Sequence, residues 1–204
     1  DALQKAGLLT CIVLDKTGTV TEGKPVVSTV RHTSKYDGDT VLMIAASIEA
    51  GSEHPLAASI LAAAKEKQLK LEKVQKFEAI AGHGVVATII GKLVYFGNSA
   101  LMKLKGVDPK KFEGQLAELS ELGQTPMLLA IDNSVAGIIA VSDPIKKDST
   151  VAVQQLSKLG IRVIMVTGDN EITAQAIAKQ AGITDIKAQV LPQDKASIIK
   201  ALQQ

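Results

Sequence analysis

The sequence predicts an α/β fold in which an incomplete parallel sheet is interrupted by an inserted α+β domain. Apolar runs that end in polar loops stand near the start of the chain and in its last third, where they alternate with helical segments. The middle of the chain combines helical segments with adjacent strands that turn directly into one another. Strand–helix alternation is typical of a parallel sheet, and neighbouring hairpins are typical of an antiparallel one.

The first element is a strand. Residues 8–14 form a short apolar run that ends at the polar sequence Asp15-Lys16-Thr17-Gly18-Thr19. A short apolar run bounded by a polar loop is consistent with a buried strand. Pro25 then marks a hinge after Lys24, because proline fixes one backbone dihedral angle and restricts the residue before it.

The middle block contains the elements of a separate domain. The predicted elements are helices over 40–50 and 55–68, a hairpin from strands 84–90 and 93–97, a charged helix over 109–122, and strands 127–131 and 135–141 that turn at Asp132-Asn133. Pro55 suits the first turn of its helix, where no backbone donor is needed. Gly91-Lys92 and Asp132-Asn133 are the short connections that hairpins use.

The last third returns to the parallel pattern. The predicted elements are a helix over 149–159 that stops at Gly160, a strand over 161–166, a helix over 171–181 that stops at Gly182, a strand near 186–190 and a helix from about residue 193. The strand at 8–14 has no partner nearby in sequence and fits this sheet best. We therefore expect residues 1–24 and 143–204 to form one domain, with residues 25–142 inserted as a second.

Composition narrows the functional classes. Aromatic residues make up only 2% of the chain and the net charge is +2, so the sequence offers neither the stacking platforms nor the basic surface of a nucleic-acid-binding protein. A single cysteine, Cys11, excludes an internal disulfide and favours a reducing compartment. Without an apolar stretch of about 20 residues, the chain as given is expected to be soluble. We also expect it to be monomeric.

Polar clusters follow both parallel strands, and ligands of open parallel sheets bind at the carboxyl ends of the strands. Asp15 follows the first strand, Thr167 follows the second, and Lys195 lies near the start of the last helix. A carboxylate, a hydroxyl and an amine are the groups needed to move a phosphoryl group, with a divalent cation to offset the charge. Each residue alone also suits a turn, a helix cap or a solvated surface.

One phosphate-binding motif can be rejected. Gly18 to Lys24 has the spacing Gly-x-x-x-x-Gly-Lys of a P-loop. Pro25, however, stands where a P-loop has the Ser or Thr that holds magnesium, and no helix is predicted directly after it.

The pentapeptide Asp15-Lys16-Thr17-Gly18-Thr19 resembles the phosphorylation motif of P-type ATPases, which are part of the haloacid dehalogenase superfamily with its Rossmann-like sheet. Thr167-Gly168-Asp169 and Pro192-x-Asp194-Lys195 stand where that family has its second and third motifs. The resemblance implies ATP and Mg²⁺ as cofactors, Asp15 as the nucleophile, and Asp15 with the Thr17 carbonyl as magnesium ligands. The catalytic residues that it implies are Asp15, Lys16, Thr17, Thr167, Gly168 and Lys195.

The middle block resembles the nucleotide-binding domain of heavy-metal-transporting P-type ATPases. The resemblance rests on Ser52-Glu53-His54-Pro55-Leu56, on Gly82-His83-Gly84 and on Gly97-Asn98. An imidazole before a helix offers adenine a flat surface, and glycines let a backbone approach a ligand closely. The implied nucleotide-binding residues are Glu53, His54, Gly82, Gly84, Gly97, Asn98 and Asp169. A helix-start histidine and tight glycine turns are the alternative interpretations.

The resemblance also implies what surrounds the chain. We expect the cytoplasmic part of an integral membrane protein, cut before the last phosphorylation-domain motif. An actuator domain and membrane helices of the same parent chain would be its partners, and the transported ion would not bind here. Two features look more like copper(I) pumps than zinc or cadmium pumps: the Ser52-Glu53-His54-Pro55-Leu56 form and the segment 137–146, which contains Asp143-Pro144-Ile145-Lys146.

A zinc or cadmium pump stays open as an alternative to a copper pump, and two other functions also stay open. One is a nucleotide-binding module without turnover. The other is a phosphatase of the haloacid dehalogenase type, which would carry an aspartate as general acid–base two residues after the nucleophile, where this chain has Thr17.

Overall fold

A computed structural model describes residues 9–54 and 56–203. Leu8, predicted to open the first strand, and Pro55, predicted in the first turn of the second helix, lie outside the described residues. In chain order the strands and helices are β1 (Cys11–Asp15), β2 (Val26–His32), α1 (Gly38–Glu49), α2 (Ala57–Glu66), β3 (Val74–Ile80), β4 (Gly84–Ile89), β5 (Lys92–Gly97), α3 (Ser99–Leu104), α4 (Glu113–Glu121), β6 (Thr125–Ile131), β7 (Ser134–Ser142), α5 (Ser149–Lys158), β8 (Arg162–Val166), α6 (Glu171–Ala181), β9 (Asp185–Lys187) and α7 (Lys195–Leu202).

The chain divides into two compact units. Unit 1 contains the described residues up to Lys24, Ser120–Gly123 and the residues from Asp143 onward, and unit 2 contains Pro25–Leu119 and Gln124–Ser142. Ser120–Gly123 joins unit 1 although it lies within the predicted insertion. A Cβ atom on Gly123 would lie 3.3 Å from the Ile177 side chain, so this turn packs closely on α6.

Unit 1 is built on a parallel sheet in the order β1-β8-β9. Its core lies between this sheet and helices α5 and α6, with Val163, Met165 and Ile177 among its buried residues. Helix α6 starts where the Asn170 side chain accepts a hydrogen bond from the Thr173 N–H and ends at left-handed Gly182. These terminal signals place the start of α6 just beyond the carboxyl end of β8.

Unit 2 is an antiparallel sheet in the order β2-β7-β6-β5-β4-β3, covered on both faces. Side chains alternate between the faces along each central strand, so Val85 and Phe96 pack in the core with α1 and α2, while Val86 and Tyr95 pack in the core with α3. A sheet buried on both faces gives continuous apolar strands, which is what the middle of the sequence shows.

The predicted combination of a parallel sheet and a separate antiparallel sheet is confirmed. Three predicted elements are present with bounds that differ from those expected. The strand expected near 186–190 is Asp185–Lys187, because Gln189 adopts a left-handed backbone conformation. The helix expected over 109–122 is a 3₁₀ turn, Lys110–Phe112, followed by α4, and the last helix begins at Lys195 after a 3₁₀ turn, Pro192–Asp194.

Among the helices of the described residues, the structure has none that combines the length and the apolar character of a membrane span.

Candidate functional site

The carboxyl ends of β1 and β8 meet at one edge of the parallel sheet. Asp15, the last residue of β1, pairs in register with Val166, the last residue of β8. Thr167, Gly168 and Asp169 follow Val166 directly. Because neighbouring strands lie about 4.8 Å apart, this register brings the Asp15 loop (residues 15–21) beside the second predicted motif.

Asp15 and Lys195 form an ion pair across 180 residues of sequence. The Lys195 Nζ lies 2.9 Å from the Asp15 Oδ1. The Asp15 side chain is 46% exposed and that of Lys195 is 34% exposed, so a substrate can reach both. The structure thus brings together the predicted nucleophile and the predicted cation.

Lys16 and Asp169 form a second ion pair, which is more buried than the first. The Lys16 Nζ lies 2.7 Å from the Asp169 Oδ2, and the two side chains are only 11% and 14% exposed. The pair ties the loop after β1 to the loop after β8. The sequence placed Asp169 near the nucleotide, and the structure shows its carboxylate bound to Lys16.

Thr167 lies buried at the end of β8. Its Oγ1 accepts a hydrogen bond from the Asp169 N–H at 3.1 Å, which leaves its own hydroxyl hydrogen to be donated. Its backbone is held by Lys187 and Val190, through hydrogen bonds of 3.0 Å each. A Cβ atom on Gly168 would make only an ordinary contact, 3.5 Å from the Val190 carbonyl oxygen, so packing does not require a glycine at that position.

The Asp15 loop contains a tight turn at Thr17 and Gly18. Thr17 has φ −73° and ψ 123°, and Gly18 has φ 76° and ψ −8°. These angles are those of the two central residues of a type II turn, whose second central position requires a positive φ. Gly18 is therefore needed for the backbone conformation of the motif.

The predicted magnesium ligands are of the correct chemical type. A carboxylate from Asp15 and a carbonyl oxygen from Thr17 are hard oxygen donors, which Mg²⁺ prefers. Within residues 9–54 and 56–203, no group of three or more His, Cys, Asp and Glu side chains is arranged to hold a metal. Magnesium bound by these two donors would retain water or phosphate oxygens as its other ligands.

In unit 2 the structure joins four predicted nucleotide-binding residues, which we call the glycine cluster: Gly82, Gly84, Gly97 and Asn98. Asn98 caps α3 by accepting a hydrogen bond from the Leu101 N–H at 3.0 Å. Its Nδ2 donates to the Gly82 carbonyl oxygen at 2.8 Å. Asn98 therefore links the turn before β4 to the start of α3.

The glycines of the cluster differ in their surroundings. A Cβ atom on Gly84 would lie 2.2 Å from the Phe96 carbonyl oxygen, and one on Gly97 would lie 2.2 Å from the His83 carbonyl oxygen. Close backbone packing thus accounts for these two glycines, as the tight-turn alternative predicts. Gly82 has φ 72° and open space where its Cβ would be, so no neighbouring atom covers its backbone on that side.

Glu53 and His54 lie in the loop between α1 and α2. The His54 Nδ1 accepts a hydrogen bond from the Leu56 N–H at 3.2 Å. The residue has an exposed surface, yet enough protein surrounds the ring for desolvation to lower the pKa of His54. Both effects favour a neutral imidazole with its proton on Nε2. Glu53 is exposed.

Sequence reasoning missed Glu49, a buried carboxylate at the end of α1. Glu49 is 4% exposed, and its Oε2 has no hydrogen-bond partner among the described residues. Burial raises the pKa of Glu49, although a hydrogen bond with Ser52 lowers it in part. A signal was present, because Glu49 falls on the same helical face as buried Leu42 and Ala45, where a charged residue is rare.

Comparison with known proteins matches residues 9–204 to the family of haloacid dehalogenase-like hydrolases. Over 98% of its length, the chain is 46% identical to a copper-exporting P-type ATPase of Bacillus subtilis (strain 168). The matched region is 25% of that protein. The chain is 45% identical, with the same coverage, to the copper-exporting P-type ATPase of Staphylococcus saprophyticus. The chain spans about a quarter of the length of these relatives. The resemblance read from the motifs is confirmed.

Solved structures give a consistent result. A zinc-transporting PIB-type ATPase in the E2.Pi state is 33% identical with a TM-score of 0.70, covering 99% of this chain and 32% of that one. The catalytic domain of the CPx-ATPase CopB-B is 25% identical with a TM-score of 0.68, covering 99% of this chain and 70% of that one. These likenesses confirm the predicted fold class.

Proposed function

Because the chain belongs to the haloacid dehalogenase-like hydrolase family, we propose that it is the ATP-hydrolysing part of a heavy-metal-transporting P-type ATPase. Unit 2, which corresponds closely to the expected insertion 25–142, would hold ATP. Unit 1, built from the expected segments 1–24 and 143–204, would accept the γ-phosphoryl group on Asp15. Copper is the proposed cargo, since copper exporters are the relatives with 45–46% identity.

The observation that carries the proposal is the ion pair between Asp15 and Lys195 at the carboxyl edge of the parallel sheet. A capping aspartate would accept hydrogen bonds from nearby backbone N–H groups of a helix. No side-chain cap hydrogen bond from Asp15 exists at the turn that follows it, in the part of the chain that the structure describes. Its carboxylate instead faces a cation brought from the far end of the chain.

The chemical step follows from these positions. A carboxylate oxygen of Asp15 forms a bond to the γ-phosphorus of ATP, and the bond from that phosphorus to the β–γ bridging oxygen breaks, so that ADP leaves. Lys195 offsets the charge on the transferred oxygens, and Thr167 donates its hydroxyl hydrogen to one of them. The Lys16–Asp169 pair holds the two loops in place. Magnesium, when bound, neutralises charge on the phosphates.

Thr17 favours a lasting aspartyl phosphate. A carboxylate at this position could activate water as a general base, whereas a threonine hydroxyl is a much weaker base. Slow hydrolysis of the phosphorylated form suits a pump, because the conformational change that moves the ion must occur before the phosphoryl group is lost.

Nucleotide binding is assigned to two features of unit 2. Neutral His54 offers a flat ring to adenine, and the Nε2 proton remains a donor. Open backbone at Gly82 can approach the ribose or the phosphates, with Asn98 bracing the turn. We add Glu49 to the predicted residues in preference to exposed Glu53, since a buried carboxylate oxygen that lacks a partner can accept from the exocyclic amine of adenine.

The partners of the chain follow from the same proposal. The parent protein would supply an actuator domain and membrane helices, and the copper ion would bind among those helices. ATP would reach the chain from the cytoplasm. Residues 15–203 would then couple ATP use to movement of the rest of the parent.

Phosphorylation by labelled ATP tests the proposal. With Mg²⁺, the chain should acquire an acid-stable label that hydroxylamine removes, because hydroxylamine cleaves acyl phosphates. Asp15→Asn should reduce the label to background. Asp185→Asn is the matched control, since Asp185 is a partly exposed aspartate of unit 1 that pairs with Arg162, and its label should equal that of the unchanged protein.

Two results would favour the other functions. ATP binding without any label on Asp15 would indicate a nucleotide-binding module. Rapid multiple turnover of small phosphate esters would indicate a phosphatase. Either result would contradict the pump assignment for this chain.

A further inference from the structure

We propose that Thr21, held by Asp143, is a positioning residue that fixes the peptide between Thr17 and Gly18 and so directs the Thr17 carbonyl. The inference rests on the proposed function, in which that carbonyl serves as a magnesium ligand. It begins from a buried hydroxyl that the chemical step does not use.

Thr21 is fully buried and lies at the end of the Asp15 loop. Its Oγ1 accepts a hydrogen bond from the Gly18 N–H at 3.3 Å. The same oxygen lies 2.5 Å from the Asp143 Oδ2 and 3.0 Å from the Lys16 carbonyl oxygen. A hydroxyl has one hydrogen, and the closer, charged acceptor is the stronger partner, so Thr21 donates to Asp143.

The Gly18 N–H and the Thr17 carbonyl belong to one peptide unit. In a trans peptide the N–H and C=O point in opposite directions, so fixing one fixes the other. Type I and type II turns differ by the orientation of this central peptide. The hydrogen bond to Thr21 therefore selects the type II orientation and determines where the Thr17 carbonyl points.

Two further contacts restrain Gly18. The Lys146 Nζ donates to the Gly18 carbonyl oxygen at 2.6 Å. A Cβ atom on Gly23 would lie 3.0 Å from the Gly18 Cα, so the chain that leaves the loop packs directly on it. Both peptides that flank the Gly18 Cα are thus restrained by residues outside the pentapeptide.

Asp143 connects this network to the two places where the chain passes between units. Its Oδ1 accepts a hydrogen bond from the Lys24 N–H at 3.0 Å, while its Oδ2 faces Thr21. Lys24 is the last residue of unit 1 before the chain enters unit 2, and Asp143 is the first residue after it returns. A shift of Asp143 would therefore be transmitted to the peptide that carries the Thr17 carbonyl through two hydrogen bonds, from Thr21 to Asp143 and from Gly18 to Thr21.

Hydrogen exchange of the Gly18 amide, measured by NMR without metal or nucleotide, tests the inference. Thr21→Val keeps the shape of the side chain but has no acceptor, and exchange at Gly18 should become at least about tenfold faster. Thr21→Ser retains the hydroxyl and should stay close to the unchanged protein. Thr150→Val is the matched control, because Thr150 donates its hydroxyl to Gln180 elsewhere in unit 1.

A titration with Mg²⁺, followed through the Gly18 amide signal, measures the metal site directly. The half-saturating Mg²⁺ concentration should rise roughly 10–100-fold in Thr21→Val, as for other losses of groups that orient a metal ligand. Thr21→Ser should again resemble the unchanged protein.

Three outcomes would overturn the inference. They are unchanged Gly18 exchange in Thr21→Val, equal behaviour of the Ser and Val variants, and equal acceleration of Gly18 and the buried amides of β8. Failure of the proposed function is distinguishable, since it would appear as an unlabelled wild-type chain while the Gly18 results still held.

Discussion

The charged groups at the two candidate sites differ in whether they have partners. In unit 1, Asp15 pairs with Lys195 and Lys16 pairs with Asp169. In unit 2, Glu49 is more buried than any of these and its Oε2 has no hydrogen-bond partner within the described residues. The loop that follows Glu49 contains His54, and desolvation lowers the pKa of its imidazole ring.

Under the proposed function, this difference separates a site whose charges are paired before any substrate binds from a site where a ligand would supply the missing partner. Paired charges in unit 1 hold two loops in fixed positions before any substrate arrives, which is the condition for electrostatic stabilisation of a transition state. An unpaired carboxylate in unit 2 carries a desolvation penalty that a ligand donor can remove. In the proposed function, each unit would thus serve a different part of one reaction.

The largest effect is expected from breaking the buried ion pair of unit 1. Lys16→Met leaves the Asp169 carboxylate without its cation and should lower the free energy of unfolding by about 3 kcal/mol. Lys67→Met removes the corresponding partner of Asp39 in an exposed pair of unit 2, and should cost less than about 1 kcal/mol. Urea unfolding measures both, and equal losses would show that burial does not distinguish the pairs.

A smaller effect separates the two kinds of glycine in the glycine cluster. Gly84→Ala places a Cβ 2.2 Å from the Phe96 carbonyl oxygen and should destabilise unit 2 by about 2–3 kcal/mol. Gly82→Ala meets only the strain of a left-handed residue, about 1 kcal/mol. Thermal unfolding, monitored by circular dichroism, compares the stabilities of the two variants. If Gly82→Ala instead proved the more destabilising, the open surroundings of Gly82 would be contradicted.

Glu49→Gln should stabilise the free protein and weaken nucleotide binding. Burial raises the pKa of Glu49 above its ordinary value of 4.5, so the folded state binds more protons than the unfolded state between 4.5 and the raised pKa. Stability therefore falls as pH rises through that window, and the glutamine variant should lack this loss.

Above that window, Glu49→Gln should be about 1–2 kcal/mol more stable than the unchanged protein in urea. Calorimetric titration should show weaker ADP binding, because a charged acceptor for the adenine amine is lost. If the stability advantage of Glu49→Gln over the unchanged protein were no larger at neutral pH than at pH 4, the sign of the pKa shift would be contradicted.

The smallest effect is expected at His54. His54→Gln should raise the dissociation constant for ATP roughly tenfold, consistent with the loss of one base–aromatic stack of about 1–3 kcal/mol. Because burial lowers the pKa of His54, ATP affinity should stay level from pH 8 to the ordinary value of 6.5 and fall only below it. His32→Gln alters an exposed histidine and serves as the control. Unchanged affinity in His54→Gln would remove the adenine assignment.

Strands that form continuous apolar runs could be predicted from sequence, and the two edge strands of the antiparallel sheet could not. Strands β1, β8 and the β4–β5 hairpin are apolar runs bounded by turn residues, and they were predicted within a few residues. Strands β2 and β3 form the two edges of the antiparallel sheet and were missed. In β3 most residues are exposed, so Gln75 and Lys76 break the apolar pattern that predicts a strand.

The candidate site shows the same division. Motif residues such as Asp15, Thr167 and Lys195 were identified because their order along the chain matches a known family. The ion pair between Asp15 and Lys195 depends on strand register and on where α7 begins, which sequence alone does not give. Glu49 stands outside every motif that was used, and its position on the apolar face of α1 was the sequence signal that could have identified it.

Chemical trapping of the phosphorylated residue tests the central claim most directly. Borohydride reduces an aspartyl phosphate to homoserine, and peptide mass spectrometry can then locate the changed residue. After incubation with ATP and Mg²⁺, we expect homoserine at position 15 and unmodified aspartate at positions 143 and 169. Homoserine at another position, or none at position 15 in a sample that carries the acid-stable label, would contradict the assignment of Asp15 as the phosphate acceptor.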